Sequence, residues 1–237
     1  MKTEETNQRA AQVTPLKINM PRVGELMSAV RANLTTAARF RFNMSAQDAL
    51  DLLAACYQFA VERRCGTLVL DENTTRSLTQ LATYITLPKP KFGVMFCGTC
   101  GNGKTTLLYA LQRAINLLSN RNHFKFLGDY FKVGMEIVDV RYILQVANND
   151  VKFADLRRRD MLAIDDMGKE PAEIMNYGNV LNPVIDIIEH RYQHQLFTAI
   201  TTNLTGNQIR EKYGARIADR FNEMLEVIVF QDISYRH

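Results

Sequence analysis

The sequence contains no tryptophan, few prolines and no long hydrophobic run. Its longest apolar stretches, such as Phe92 to Cys97 and Met161 to Ile164, fall far short of the ~20 residues a membrane-spanning helix requires, so no membrane span is expected. The polar, mixed-charge segment from Met1 to Gln12 lacks the apolar core of a secretory signal, which leads to the expectation of a cytoplasmic protein. Cysteine is scarce, with four residues at 56, 65, 97 and 100. Cys97 and Cys100 have C-x-x-C spacing, but no second pair or histidine pair is spaced to complete a zinc site, so neither a zinc nor a redox centre is expected. No excess of one charge stands out either. The formal net charge of +4 permits nucleic-acid binding without demanding it.

What is present is the balance of an ordinary globular chain, 46% hydrophobic and 23% charged over 237 residues, long enough for one main domain with an added module. Pro15 and Pro21 interrupt any long helix near the amino end, leaving a short one expected from about Gly24 to Ala38. From Ser45 the apolar residues Ala49, Leu50, Leu52, Leu53, Cys56, Tyr57, Phe59 and Ala60 recur at helical spacing, with Ser45 as N-cap and Asp48 three residues on. A second helix follows from about Glu72 to Thr86, closed off by Pro88 and Pro90. Residues 1–90 therefore read as a leader and a small helical, partner-binding region.

After Pro90 short β-prone runs alternate with amphipathic helices, the pattern of a parallel α/β sheet. Five strands are expected, at Phe92–Cys97, Met135–Val138, Met161–Ile164, Leu196–Thr201 and Val227–Phe230. Helices are expected at about Lys104–Ser119, Asp139–Asn148, Asn179–Tyr192 and as a pair in Thr205–Met224. Phe124–Phe131 is also strand-like, either in the sheet or in an edge hairpin.

The strongest chemical signal is Gly98-Thr99-Cys100-Gly101-Asn102-Gly103-Lys104-Thr105, a G-x-x-x-x-G-K-[ST] loop between an expected strand and an expected helix. Glycines allow the backbone to curl its N–H groups toward a phosphate, and the helix start adds its positive dipole end. The nucleotide-binding set runs from Gly98 through Thr106, with Lys104 on the β- and γ-phosphates and Thr105 on magnesium.

A second signal is Met161-Leu162-Ala163-Ile164-Asp165-Asp166, an unalternating apolar run that suits a central parallel strand. Two acids at its carboxyl end would be costly to bury unpaired, and a cation is their natural partner. Asp165 is assigned to magnesium and Asp166 to orienting the attacking water. Asn203, after the strand Ala199-Ile200-Thr201-Thr202, would open on the same crevice and is a candidate to hold that water or sense the γ-phosphate, although Asn and Thr are also common helix caps. Arg216 and Arg220 stand four apart on one helical face. They suit either a solvated, salt-bridged pair or an arginine reaching a neighbouring subunit's nucleotide.

Taken in order, these residues resemble the AAA+ ATPases of the DnaC and IstB type, bacterial helicase loaders and transposition helpers. The resemblance covers about Pro90 to the end. Besides the P-loop it rests on Met161–Gly168, Ile188-Glu189-His190-Arg191-Tyr192, Thr201-Thr202-Asn203-Leu204, Gly214 to Arg220 and Ser234-Tyr235-Arg236. It implies a P-loop NTPase of the AAA+ kind: a five-stranded parallel sheet flanked by helices over residues 91–237, without a carboxyl-terminal lid domain. It further implies Asp165 and Asp166 as the Walker B pair, Asn203 as sensor 1, and Arg216 or Arg220 as an arginine finger acting across a subunit interface. Ala215 stands where the family usually has an acid. Asp166 replaces the glutamate common in AAA+ proteins, so hydrolysis is expected to be slow.

The expected function is an ATP- and Mg2+-dependent ATPase that assembles into a homo-oligomer, binds single-stranded DNA and loads a replicative helicase. A transposition helper that recruits a transposase, and a nucleotide-dependent switch with little hydrolysis, are the alternatives. A small-molecule kinase would need an arginine-bearing lid over the phosphates, and no segment reads as one. Arg157-Arg158-Arg159 is the densest basic run, readable as a DNA contact or as a solvated loop, and Phe153 as a base-stacking ring or as packing.

Overall fold

A computed structural model describes residues 19–32, 39–119, 134–171, 174–176 and 179–230. The chain divides into two compact units, Met1–Ala37 and Ala38–His237. In the first, helix α1 (Met20–Ala32) is entered through Asn19, whose Oδ1 accepts from the Arg22 amide at 3.2 Å. Pro21 falls in its first turn, where a missing N–H leaves no bond unmade, so α1 begins before the Gly24 expected from sequence. Residues 33–38 of that expected helix lie outside the described residues, as do Phe124–Phe131 and Ser234-Tyr235-Arg236.

The second unit opens with α2 (Ala46–Glu62) and α3 (Glu72–Thr86). Ser45 caps α2 by accepting from the Asp48 amide at 3.1 Å, and Asp71 caps α3 by accepting from the Thr74 amide at 2.8 Å. Each cap satisfies one of the donors a helix start leaves free. Both helices, on the amino-terminal side of residue 90, share one apolar core with the sheet that follows.

That sheet has five strands, β1 (Gly93–Cys97), β2 (Glu136–Asp139), β3 (Met161–Met167), β6 (Phe197–Thr202) and β7 (Leu225–Val229). They lie in the order β2-β3-β6-β1-β7, and every pairing is parallel. A separate antiparallel hairpin joins β4 (Ile174–Asn176) to β5 (Asn179–Leu181). The remaining helices are α4 (Lys104–Ser119), α5 (Val140–Val146), α6 (Asp150–Arg158), α7 (Pro183–Gln193), α8 (Gly206–Tyr213) and α9 (Ala215–Met224). None of the described helices is long and apolar enough to cross a membrane.

Both faces of the sheet are buried, which is why its strands read as unalternating apolar runs. Val94, Phe96, Met161, Ala163, Phe197 and Ala199 face a core shared with α2, α3 and α4. Met95, Leu162, Ile164 and Ile200 face a second core shared with α5, α7, α8 and α9. The period of two is present, but each face meets a helical layer.

Two further expectations change. The helix expected at Asn179–Tyr192 begins only at Pro183, preceded by β5: Asn182 caps it by accepting from the Ile185 amide at 3.2 Å, and a residue before proline is pushed away from helical geometry. The second change is α6, a helix the sequence reading did not anticipate. Arg157 and Arg158 form its last turn, where the helix dipole favours positive charge, rather than a loop. Arg159 pairs with Glu136 at 3.1 Å, and Phe153 is partly buried against the second core.

Candidate functional site

Parallel strands point their carboxyl ends the same way, so register decides which side chains meet. Cys97 lies opposite Thr202, and Met167 pairs with Thr202 from the other side. The ends of β1, β3 and β6 therefore converge, and three loops leave from one place.

The first is the P-loop. Gly98, Gly101 and Gly103 all have positive φ, at 146°, 88° and 92°, a region where side chains are strained. At Gly98 a Cβ would also stand 2.5 Å from Nδ2 of Asn102 and 2.7 Å from the Phe230 carbonyl. Lys104 is nearly buried at the start of α4. Its Nζ donates to the Gly98 carbonyl at 2.8 Å, to Asn102 Oδ1 at 3.0 Å and to the Thr99 carbonyl. Burial pushes the ammonium below the ordinary lysine value, opposed by Cys100, Asp166, Cys97 and Asp165. Thr106 is buried, and its Oγ1 accepts from Arg64 at 3.3 Å.

The second loop carries the paired acids. β3 runs on past Ile164 to Met167 through a register shift, so Asp165 and Asp166 lie within the strand rather than after it. Asp165 Oδ1 accepts from Thr105 Oγ1 at 3.1 Å and from Thr201 Oγ1. Thr201 Oγ1 in turn accepts from the Asp166 amide at 2.8 Å. Asp166 has φ 59°, an uncommon conformation of the kind held in place at functional sites. Its Oδ2 is ion-paired with Lys169 Nζ at 2.6 Å.

Thr201 is the residue that sequence reasoning missed. It read as one more polar strand end, whereas its hydroxyl joins both acids to β6. The only signal was a set of threonines, Thr198, Thr201 and Thr202, in a strand buried throughout. Thr202 ties the same strands together by donating to the Met167 carbonyl at 2.7 Å. Asn203 follows directly after Thr202, the register partner of Cys97, and is exposed.

Glu170 is the other unforeseen residue. It is buried, accepts from the Gly168 amide at 2.8 Å and from the Tyr213 hydroxyl, and stands 3.7 Å from Lys212 Nζ. Lys212 also donates to the Gly168 carbonyl at 2.7 Å and to the Glu170 carbonyl. This cluster anchors the loop after Asp166 to the end of α8. Burial, then the bond to Glu170, push the Tyr213 phenol well above its ordinary value.

The two arginines of α9 are brought together, but differently. Both reach Glu189 of α7, Arg216 at 3.3 Å and Arg220 at 2.6 Å. The Arg220 side chain is 13% exposed and lies 5.0 Å from the Tyr192 ring centroid, whereas that of Arg216 is 71% exposed. Arg191 of α7, two residues after Glu189, is fully buried and structural. It donates to Thr198 Oγ1 at 2.9 Å and to the carbonyls of Phe197 and Arg159, each at 2.6 Å. Burial pushes its guanidinium down to about 9, opposed by Asp160, which leaves it charged at neutral pH. None of the four cysteines is in a disulfide. Among the described residues no group of three or more His, Cys, Asp and Glu side chains is placed to hold a metal.

The residues present suit a magnesium-bound nucleotide. Magnesium keeps most of its waters and asks for only one or two protein oxygens besides phosphate, and Thr105 and Asp165 already meet as such a pair. Asn102 carries a buried Nδ2 with no hydrogen-bond partner among the described residues, a donor available at the centre of the loop.

Comparison with solved structures shows a shared fold, a five-stranded parallel α/β sheet flanked by helices. The crystal structure of the DnaC helicase loader matches with a TM-score of 0.54 and 21% identity, covering 74% of this chain and 98% of that one. A primosome component from Streptococcus pyogenes serotype M3 matches with a TM-score of 0.51 and 16% identity, covering 71% and 85%. No protein-family model matches the sequence, and no curated protein does. With the DnaC helicase loader the chain thus shares its fold.

Proposed function

We propose that this chain is an ATP-binding, ATP-hydrolysing AAA+ protein that assembles into a homo-oligomer on binding Mg2+ and ATP, holds single-stranded DNA and loads a replicative helicase. The observation that carries the reading is the junction at Asp165, where the P-loop threonine and the β6 threonine both donate to one carboxylate oxygen. The shared fold of the DnaC helicase loader supports the partner class.

In this reading the P-loop amides and Asn102 bind the phosphates, and Lys104 exchanges neutral carbonyl acceptors for charged phosphate oxygens, which make stronger bonds. Thr105 and Asp165 hold magnesium, which neutralises charge on the β- and γ-phosphates when bound. Asp166 and Asn203 orient the attacking water. Arg216, exposed and only loosely held, is the arginine finger presented to a neighbouring subunit, while Arg220 is occupied by Glu189 and Tyr192.

The Lys169–Asp166 contact favours a second reading, a nucleotide-dependent switch with little hydrolysis. A carboxylate oxygen held by an ammonium at 2.6 Å is less free to orient a water.

The deciding experiment measures ATP turnover and mass by light scattering, with and without single-stranded DNA, for the natural chain and Lys104→Ala. ATP-dependent assembly with DNA-stimulated turnover, lost in the variant, is the expected result. Assembly without turnover selects the switch, and a monomer indifferent to DNA overturns both readings.

A further inference from the structure

On the side of α4 turned toward α2 lies a cavity of about 490 Å3. Its walls carry Arg63, Arg64 and Arg113, the rings of Phe59 and Tyr109, and the amides of Gln112 and Asn116, with no carboxylate among the lining residues. None of the three arginines is ion-paired among the described residues. Arg113 lies 3.8 Å from the Phe59 ring centroid and Arg64 5.6 Å from that of Tyr109. Stacking occupies the face of a guanidinium but none of its five N–H donors.

The position of Arg63 and Arg64 at the carboxyl end of α2 accounts for two of these charges, since the helix dipole favours cations there. It does not account for Arg113, which comes from the middle of α4 to the same cavity. Three guanidiniums without an ion-pair partner among the described residues, lining one concavity, repel each other, and an anion relieves that repulsion. The cavity volume falls within the roughly 300–1,000 Å3 of small-ligand sites. Arginine matches phosphate through paired N–H donors. Tyr109, 41% exposed at the rim, offers a flat surface of the kind on which bases stack. An acidic peptide would use the arginines alone, whereas a nucleotide would also use the exposed Tyr109 ring, which Arg64 approaches at 5.6 Å from the centroid.

We propose that the α2–α4 cavity binds one phosphorylated nucleotide unit, its phosphate on Arg63 and Arg113 and its base against Tyr109, separately from the P-loop. The unit comes either from a single strand of nucleic acid or from a free nucleotide. The site goes beyond the ATPase reading and does not depend on it.

The test uses the full chain carrying Lys104→Ala, so that the P-loop contribution is weakened and the same in every comparison. Fluorescence anisotropy follows its binding to fluorescein-labelled oligothymidylate and to a fluorescent ADP, with and without Arg63→Gln and Arg113→Gln. A strand ligand shows as oligothymidylate affinity falling roughly tenfold or more, the loss of about 1.4 kcal/mol, with a shallower salt dependence. A free-nucleotide ligand shows as the same loss confined to the fluorescent ADP. Equal binding with and without the arginine substitutions, or no binding of either probe, overturns the proposal. Fluorescent ATP binding by Arg63→Gln, Arg113→Gln protein with Lys104 intact reports on the P-loop alone, so the two sites fail independently. As a check that needs no substitution in the cavity, a photoactivatable oligothymidylate or nucleotide on the Lys104→Ala chain should label the peptide containing Tyr109. Labelling confined to other peptides overturns the proposal too.

Discussion

The hydroxyl of Thr105 stands 3.1 Å from Oδ1 of Asp165, joining two residues 60 positions apart. The same oxygen accepts from Thr201, so the P-loop helix, the acidic strand and the strand before Asn203 meet at one carboxylate. A metal held there would sense the position of all three.

From that junction, Asp165→Asn should cost more in the presence of magnesium than in its absence. Binding of a fluorescent ATP analogue is expected to weaken at least about tenfold with magnesium, the equivalent of one strong charged contact, and to change little in EDTA. Equal losses in both conditions would argue against a metal role.

Thr201→Val removes the hydroxyl that bridges Asp165 and the Asp166 amide while keeping the shape. A destabilisation of about 1–2 kcal/mol is expected for the lost buried partner, and ATP turnover should fall further than nucleotide affinity. Chemical denaturation and steady-state turnover, measured on the same protein, separate the two effects.

Lys169→Ala frees the Asp166 carboxylate. If Lys169 restrains hydrolysis, turnover should rise severalfold in the variant and vanish in Lys169→Ala, Asp166→Asn. Unchanged turnover in Lys169→Ala would mean that the contact has no bearing on the chemistry.

Arg216 and Arg220 should separate by stability. Arg216→Ala is expected to leave the melting temperature almost unmoved, as exposed surface changes do, yet to lose turnover that returns on mixing with Lys104→Ala subunits. Arg220→Ala should lower the melting temperature by a few degrees, at about 2–4 °C per kcal/mol for a chain of this size. The opposite pattern in the mixing experiment would assign the finger to Arg220.

Burial pushes the Cys97 thiol from 9.0 up to about 11, with Lys104 opposing. Below about pH 9 both folded and unfolded chains keep the proton. Between there and pH 11 the unfolded chain loses it first, so stability present below 9 is lost as pH rises. Denaturant midpoints should fall across that window and fall less in Cys97→Ala; parallel curves would remove Cys97 as a cause. The exposed Cys65 and Cys100 should react with an alkylating reagent before Cys97.

Much of the fold was legible because its signals are local. The α4 bounds, the Ser45 cap, the α3 bounds and the approximate position of each sheet strand follow from periodicity, caps and prolines. The β5–α7 boundary was not legible, because Asn179 to Tyr192 carries helical spacing across Pro183 and hides the cap at Asn182. Helix α6 escaped notice because its nine residues bury only Leu156 fully, too little for a periodic signal. At the site, the P-loop could be read in one dimension since its glycines, lysine and threonine are contiguous. Thr201 and Glu170 could not, because each acts on groups brought near by register or by a loop.

Local patterning alone thus determined the parallel α/β class, the phosphate loop and the acidic strand end, since backbone conformation and short-range spacing are written in neighbouring residues. Tertiary structure alone decided that Thr105 and Thr201 share Asp165, that Lys169 neutralises Asp166, that Arg220 is held by Glu189 while Arg216 stays exposed, and that Arg113 joins Arg63 and Arg64 around one cavity. Those relations depend on strand order, strand register and helix packing, through which residues far apart in the chain come within hydrogen-bond range.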